Sequence, residues 1–396
     1  MSSLSPRHAF EKAEYERRLE KIRAEMAHRG IDVLCLTAPE NIFYVTGYDG
    51  WSYYTHQMAV IHVNGSEPLW VGRGIDVPCA DVTCWISNDS IIGYSDDYVD
   101  NDRQHAMEFI ADQLKARGWG AAAIGFEYEN YYFSARAFMT LQKTLPHATF
   151  HDVTNLVNWV RSVKSPVEIE YMRQAGLVAD ATMKAGVEAI APGVRECDVA
   201  AVLNGAQTRG TEEFGGDAQS EVIVISTGEE VTCPHLVWTD RPLPSEGPIN
   251  IELAGVRKRY TAALSRSIYI GTAPDAIRAL GDATIDALET TLAAIKPGML
   301  GEDVFHAYNG ALEKYGEHKS SRVGYSIGIG YTPAWIERTI SFRAGDKTEL
   351  VPNMTFHIMC GMWRETDGFV QSETFRITET GCETFTNYPR GLIEIK

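Results

Sequence analysis

Apolar residues recur along the chain at two spacings, and the alternation between them sets the expected order of elements. Residues 11–29 carry Tyr15, Leu19, Ile22 and Met26 at helical spacing with Arg, Lys and Glu between them, which predicts an amphipathic helix ended by Gly30. Residues 31–37 form a short apolar run of the kind a buried strand has, and residues 57–62 and 69–71 fit further strands. Helix-like stretches at 103–117 and 134–145 alternate with them, so the first part of the chain reads as a mixed α/β domain.

The domain boundary is placed in the segment Arg-Ser-Val-Lys-Ser-Pro-Val-Glu-Ile-Glu at 161–170. Ser165, Pro166 and Glu168 there suit the N-cap, first and third positions of a new helix, a capping box reinforced by proline. That divides the chain into domains of residues 1–162 and 163–396. The new helix is expected to run to about Ile190, before Ala191-Pro192-Gly193. β-like stretches follow at 221–226, 249–254 and 266–270, then helices at 276–295 and 301–315, then a β-rich end around 323–329, 353–363 and 370–378. The fold class is therefore α+β, with no internal repeat and no low-complexity segment.

Composition narrows the class. A length of 396 residues suits two domains, and 44% hydrophobic with 22% charged residues is ordinary for a soluble globular protein. No apolar run approaches a membrane span, and the first ten residues lack the apolar core of an export signal. The seven cysteines (Cys35, Cys79, Cys84, Cys197, Cys233, Cys360 and Cys382) are scattered and odd in number, which predicts reduced thiols and a cytoplasmic protein. A net charge of −17 argues against a nucleic-acid partner, because phosphates need a basic face.

Two residues stand out as candidate chemistry. His235 lies in the turn-like Cys-Pro-His-Leu-Val-Trp at 233–238, where the commoner fate of a lone His is a structural one. Glu252 sits in an apolar stretch with Ile249, Ile251 and Leu253, and a carboxylate there is costly unless it is paired or used. A third feature is the segment Gly-Tyr-Asp-Gly-Trp-Ser-Tyr-Tyr-Thr-His-Gln at 47–57, dense in aromatics and without strand alternation. Packing against its own domain and a binding role are both open for it.

Several of these features follow one another in the order found in creatinases, prolidases and methionine aminopeptidases. They are the hinge at 161–174, Pro234-His235, residues 249–254, Tyr-Thr-Ala-Ala-Leu-Ser-Arg-Ser at 260–267, Gly-Tyr-Ser-Ile-Gly at 324–328, Pro-Asn-Met at 352–354 and Glu373-Thr374. With Asn-Ile-Phe-Tyr-Val-Thr-Gly at 41–47, the resemblance to this superfamily covers essentially the whole chain. It implies a creatinase-like N-terminal domain followed by a catalytic domain of the pita-bread fold. Peptidases of the family hold two metals with two Asp, one His and two Glu. At the matching positions this chain has Glu252, Ala263, Tyr325, Met359 and Ser372, the last with Glu373 beside it. One or two oxygen ligands do not build a dinuclear site, so no metal and no other cofactor is expected.

The resemblance then leads to the metal-free branch of the family, which opens a carbon–nitrogen bond of a small planar amidine. It implies Glu252 as nucleophile or base and His235 as acid and base. Tyr325, Arg343 and Glu365 would contact substrate, with Trp51, Tyr53, Tyr54 and His56 closing the site from a partner subunit's first domain. The substrate implied is ectoine, a cyclic amidine bearing a carboxylate, opened to N-acetyl-diaminobutyrate by a homodimer that uses neither nucleic acid nor membrane. A creatinase-like action on another amidine or guanidine, and a binding protein with a dead site, are the alternatives.

Overall fold

The structure is a computed structural model that describes residues 7–396. The chain divides into two compact units, one ending at Val160 and the other spanning Arg161–Lys396.

In the first unit, six strands among the described residues form a mixed sheet in the order Ile91–Tyr94, Leu69–Arg73, Met58–His62, Val33–Leu36, Ala123–Phe126, Thr149–Asp152. The opening helix is Lys12–His28; it buries Tyr15, Leu19, Ile22 and Met26, the residues whose spacing predicts it, and Gly30 at φ +66° turns the chain out of it. Helices Ala106–Ala116 and Ala135–Thr144 cover the sheet through Ile110, Leu114 and Leu141. The helix Pro39–Thr46 is not foreshadowed by its own sequence. Its cap comes from far away: the N–H groups of Thr37 and Ala38 donate to the Glu127 carboxyl at 2.9 and 3.0 Å. Burial pushes the Glu127 pKa up to about 7.

The second unit opens with the capping box read from sequence. Ser165 N–H donates to Glu168 Oε2 at 2.7 Å and Glu168 N–H to Ser165 Oγ at 3.4 Å, starting the helix Pro166–Ala189. Nine strands, again among the described residues, make one sheet. Its path runs Cys382–Thr384, Ser372–Ile377, Thr355–Met359, Gly324–Tyr331, Tyr260–Ile270, Gly247–Arg257, Val224–Thr227, with Ala334–Ser341 joined to Gly324–Tyr331 and Ile393–Ile395 to Tyr260–Ile270. Helices Pro166–Ala189 and Glu196–Arg209 share one apolar core with Ile249, Ile251 and Leu253, while Asp275–Ala294 and Gly301–Glu313 share another with Phe356, Ile358 and Phe375. A buried ion triad ties the start of the unit to the sheet, with Lys164 Nζ 2.6 Å and Arg161 3.3 Å from the Glu337 carboxylate. None of the seven cysteines is in a disulfide, and among the described residues no helix is long and apolar enough to cross a membrane.

The long helix approaches the strand Gly247–Arg257 so closely that Gly255 is required. A Cβ there would lie 2.0 Å from the Ala175 carbonyl oxygen and 2.4 Å from the Ala179 nitrogen, both backbone atoms that cannot rotate away. Gly255→Ala is therefore expected to lower the Tm by about 5 °C through overpacking. Gly205→Ala, in the helix Glu196–Arg209 with open space around it, should leave the Tm unchanged or raise it. Thermal unfolding followed by circular dichroism checks both; equal Tm values for the two variants would contradict this packing.

Candidate active site

Strand alternation decides what each residue of Gly247–Arg257 faces. Ile249, Ile251 and Leu253 enter the core beneath the helices, so Asn250 and Glu252 project from the opposite face. There Glu252 lies across from Val224 on one side and Ser265 on the other. It lines a narrow cleft together with Ser226, Cys233, Pro234, Asn250, Met359 and Trp363. Asn250 is pinned by Ser267, whose hydroxyl donates to its Oδ1 at 2.5 Å. Nothing comparable neutralises Glu252. Burial first, and the neighbouring Glu221 second, push its pKa up to about 8. Glu221 is itself raised to about 7 by burial, offset in part by the hydrogen bond that its Oε1 accepts from the Trp335 backbone N–H at 3.0 Å. Near neutral pH the site thus holds two neighbouring carboxyl groups, with Glu252 carrying a proton.

Beside them stands Tyr325, on the strand Gly324–Tyr331 and paired across the sheet with His357. The Trp335 indole N–H donates to the phenol oxygen at 3.0 Å, and His357 Nδ1 lies 2.9 Å from the same oxygen. Arg322 stacks on the phenol ring, 4.4 Å from its centre. Burial, then the charges of Glu252 and Glu221, raise the Tyr325 pKa, so the phenol keeps its proton. His357 is fully buried, and burial with the nearby Arg322 charge pulls its pKa down to about 3.

The residues singled out from sequence are distributed as follows. Glu252 and Tyr325 come together. His235 is exposed, one residue beyond the two that line the cavity, on the loop Cys233–Pro234. Arg343 is exposed after the strand Ala334–Ser341, close enough for its charge to act on Arg322. Glu365 is exposed in the turn between Met362–Trp363 and Gly368–Phe369. In the first unit Trp51 and Tyr54 are 72% and 63% exposed, with Trp51 against Tyr53 and Tyr54 at ring separations of 5.9 and 5.7 Å. His56 turns onto His105 of its own unit at 4.5 Å.

The positions matched to family metal ligands also sort themselves. Met359 lines the Glu252 cavity, and Ser372 Oγ accepts the Ser265 N–H at 2.7 Å. Glu373, on the opposite face of its strand, is held by Arg266 at 2.8 Å and Arg390 at 3.0 Å, away from Glu252. Among the described residues no group of three or more His, Cys, Asp or Glu side chains is placed to hold a metal ion. Glu221, Trp335, His357 and Arg322 were not identified from sequence. Glu221 and His357 do carry the mark that drew attention to Glu252: each is a titratable residue within an apolar run, Val222-Ile223-Val224 and Phe356 with Ile358.

Comparison with known proteins gives the family. Residues 18–163 match the model of the creatinase/prolidase N-terminal domain and residues 170–380 that of metallopeptidase family M24. The chain is 43% identical to an ectoine hydrolase of Halomonas elongata, over 97% of this chain and 98% of the relative. It is likewise 43% identical to an uncharacterized hydrolase/peptidase, y4tM, of Sinorhizobium fredii, with 97% and 98% covered. Among solved structures, an X-Pro aminopeptidase of Thermotoga maritima is similar in fold, with a TM-score of 0.80 at 20% identity over 95% of this chain and 99% of that one. The chain belongs to metallopeptidase family M24, with a creatinase/prolidase N-terminal domain, and is a hydrolase.

The raised Glu252 pKa has a consequence for stability. The folded protein holds a proton on Glu252 that the unfolded chain, with a carboxyl near 4.5, releases, so stability falls as pH rises from about 4.5 to about 8 and then levels. Glu252→Gln removes that penalty. Its Tm advantage over wild type is expected to be near zero at pH 4.5 and to grow to roughly 5 °C at pH 8. A Tm difference that does not change across this range would show that Glu252 is not buried as described.

Proposed function

We propose that the protein hydrolyses ectoine, opening its cyclic amidine to N-acetyl-diaminobutyrate without a metal ion. The observation that carries this reading is Glu252, a neutral carboxyl on an apolar strand with a second carboxyl, Glu221, beside it. Such a pair costs stability and suits a cation. An amidinium is planar and cationic, and its two N–H groups match a carboxylate in two-point hydrogen bonding. Its arrival favours the ionised form of Glu252, so the proton that Glu252 holds beforehand is released on binding and the base or nucleophile is freed by the substrate itself. The 43% identity to an ectoine hydrolase supports the choice of this amidine.

In the reaction, water adds to the amidine carbon and one ring carbon–nitrogen bond breaks. Glu252 either attacks that carbon, giving an adduct that water resolves, or takes the proton from the attacking water. His235 carries a proton to the leaving nitrogen, which departs as an amine. Arg343 pairs with the ring carboxylate and Glu365 with the amidinium. Metal independence is supported by Ala263, Tyr325 and Met359 at the positions where metal-dependent relatives keep ligands. The reduced cysteines fit a cytoplasmic setting.

We further propose a homodimer in which the partner's first domain, through Trp51, Tyr53, Tyr54 and His56, closes the site and excludes water. Two apolar surfaces support it. Trp51 and Tyr54 are largely exposed in the first unit, and Val222, Leu236 and Val237, near the Glu252 cavity, are 58, 38 and 46% exposed in the second.

Incubation with ectoine, with products followed by mass spectrometry, is expected to show N-acetyl-diaminobutyrate at a rate unchanged by strong chelator. Glu252→Gln should fold, bind ectoine and lose at least about 10²–10⁴-fold in kcat. Activity abolished by chelator and restored by a metal would refute the metal-free mechanism. Mixing Trp51→Ala chains with His235→Ala chains should restore activity in mixed dimers, because one of the two sites then has both residues intact. No recovery in verified mixed dimers would place each site within one chain.

A further inference from the structure

We propose that Tyr325 is the fixed hydrogen-bond donor of this site, its O–H turned toward Glu252 by two donors, the Trp335 indole and the Nδ1–H of His357, so that His357 is a positioning residue. The inference rests on the reading of Glu252 as the reacting carboxyl.

The argument is one of hydrogen-bond counting. A phenol has one proton to donate and two lone pairs to accept with. The indole nitrogen of Trp335 is a donor only, so at 3.0 Å it fills one lone pair of Tyr325. His357 Nδ1 at 2.9 Å either accepts the phenol proton or donates to the second lone pair. The other ring nitrogen decides between them. His357 Nε2 is buried without a hydrogen-bond partner. If Nδ1 accepted, Nε2 would carry a buried N–H with no acceptor, the costlier kind of orphan. If Nδ1 carries the proton, Nε2 is a bare lone pair, and the nearby Arg322 charge opposes a second proton on the ring. The Nδ1–H tautomer is therefore the favoured one. Tyr325 then accepts twice, and its own proton is left with the third direction, away from Trp335 and His357. The strand pair that carries Tyr325 and His357 faces the Glu252 cleft: Tyr325 lies across from His357, and Met359, two residues beyond His357 on the same face of its strand, lines the cleft with Glu252. The charges of Glu252 and Glu221 also act on the phenol.

The arrangement has a chemical use. A donor fixed before substrate arrives stabilises negative charge on the oxygen that sits between Tyr325 and Glu252, without reorganisation during the reaction. The device serves Glu252 as nucleophile and as base alike, since one carboxylate oxygen is held while the other reacts. Tyr325 stands where metal-dependent relatives keep a His, so a neutral O–H occupies the place of a metal ligand in this chain.

Two measurements test this. The first needs no substrate: nitrogen-15 NMR of the histidine rings, with the His357 signals assigned by their loss in His357→Asn. It should show the Nδ1–H tautomer in the wild-type protein, and an Nε2–H tautomer would overturn the proposal. The second is kinetic. Tyr325→Phe is expected to lower kcat by about 10²-fold and His357→Leu by about 10–10²-fold, with KM changed little. His357→Asn, whose amide N–H falls where Nδ1–H lies, should recover to within a few-fold of wild type, and His357→Leu should cost nothing more in a Tyr325→Phe background. Asn as impaired as Leu, or additive losses in the double variant, would reduce His357 to packing. Failure of the wild-type chain to open ectoine would refute the functional reading alone, and the tautomer would still decide this one.

Discussion

The second domain is organised around one unfavourable act, the partial burial of the Glu252 carboxyl on a strand whose alternate residues form the core. A carboxylate withdrawn from water is stabilised by ion pairs, by hydrogen-bond donors or by taking up a proton. The same domain uses the first solution elsewhere: Glu373 is held by Arg266 and Arg390, and Glu337 by Lys164 and Arg161. Glu252 instead has Glu221 for a neighbour and keeps its proton. Two neighbouring carboxyls without a cationic partner cost stability, and it is this cost that sets Glu252 and Glu221 apart from the paired carboxylates of the same domain.

The rest of the domain supplies the rigidity such a site needs. Gly255 lets the helix Pro166–Ala189 lie directly on the strand that carries Glu252, and the buried triad of Arg161, Lys164 and Glu337 anchors the entry to that helix. Tyr325, Trp335 and His357 come from three strands of one sheet, so their mutual geometry is set by strand register and not by loops. Residues 233–237, by contrast, are exposed and lie outside the helices and strands, with Cys233 and Pro234 at the rim of the Glu252 cleft.

The chain keeps the fold of metallopeptidase family M24, and Glu252, Tyr325 and Met359 lie on strands of its central sheet. Folds host several activities through sites grafted on them, so the reading of this one rests on its side chains and not on the scaffold.

Much of the fold was legible in the sequence, because periodicity and capping are local. The opening helix followed from Tyr15, Leu19, Ile22 and Met26, and the start of the second helical layer from Ser165, Pro166 and Glu168, whose hydrogen bonds close within four residues. Glu252 was legible for a related reason, since a carboxylate among isoleucines is costly wherever the strand goes. What the sequence left undetermined depends on partners distant along the chain. The helix Pro39–Thr46 is capped by Glu127, some ninety positions away, and no local pattern announces it. Glu221 and His357 acquire meaning only when the fold sets them beside Glu252 and Tyr325, each some thirty positions away along the chain. Glu373, adjacent in sequence to a position matched with a metal ligand, is turned by strand alternation to the opposite face and bound there by two arginines. The residue types were fixed by composition and order; which of them face one another was decided by register and burial, which exist only in the folded sheet.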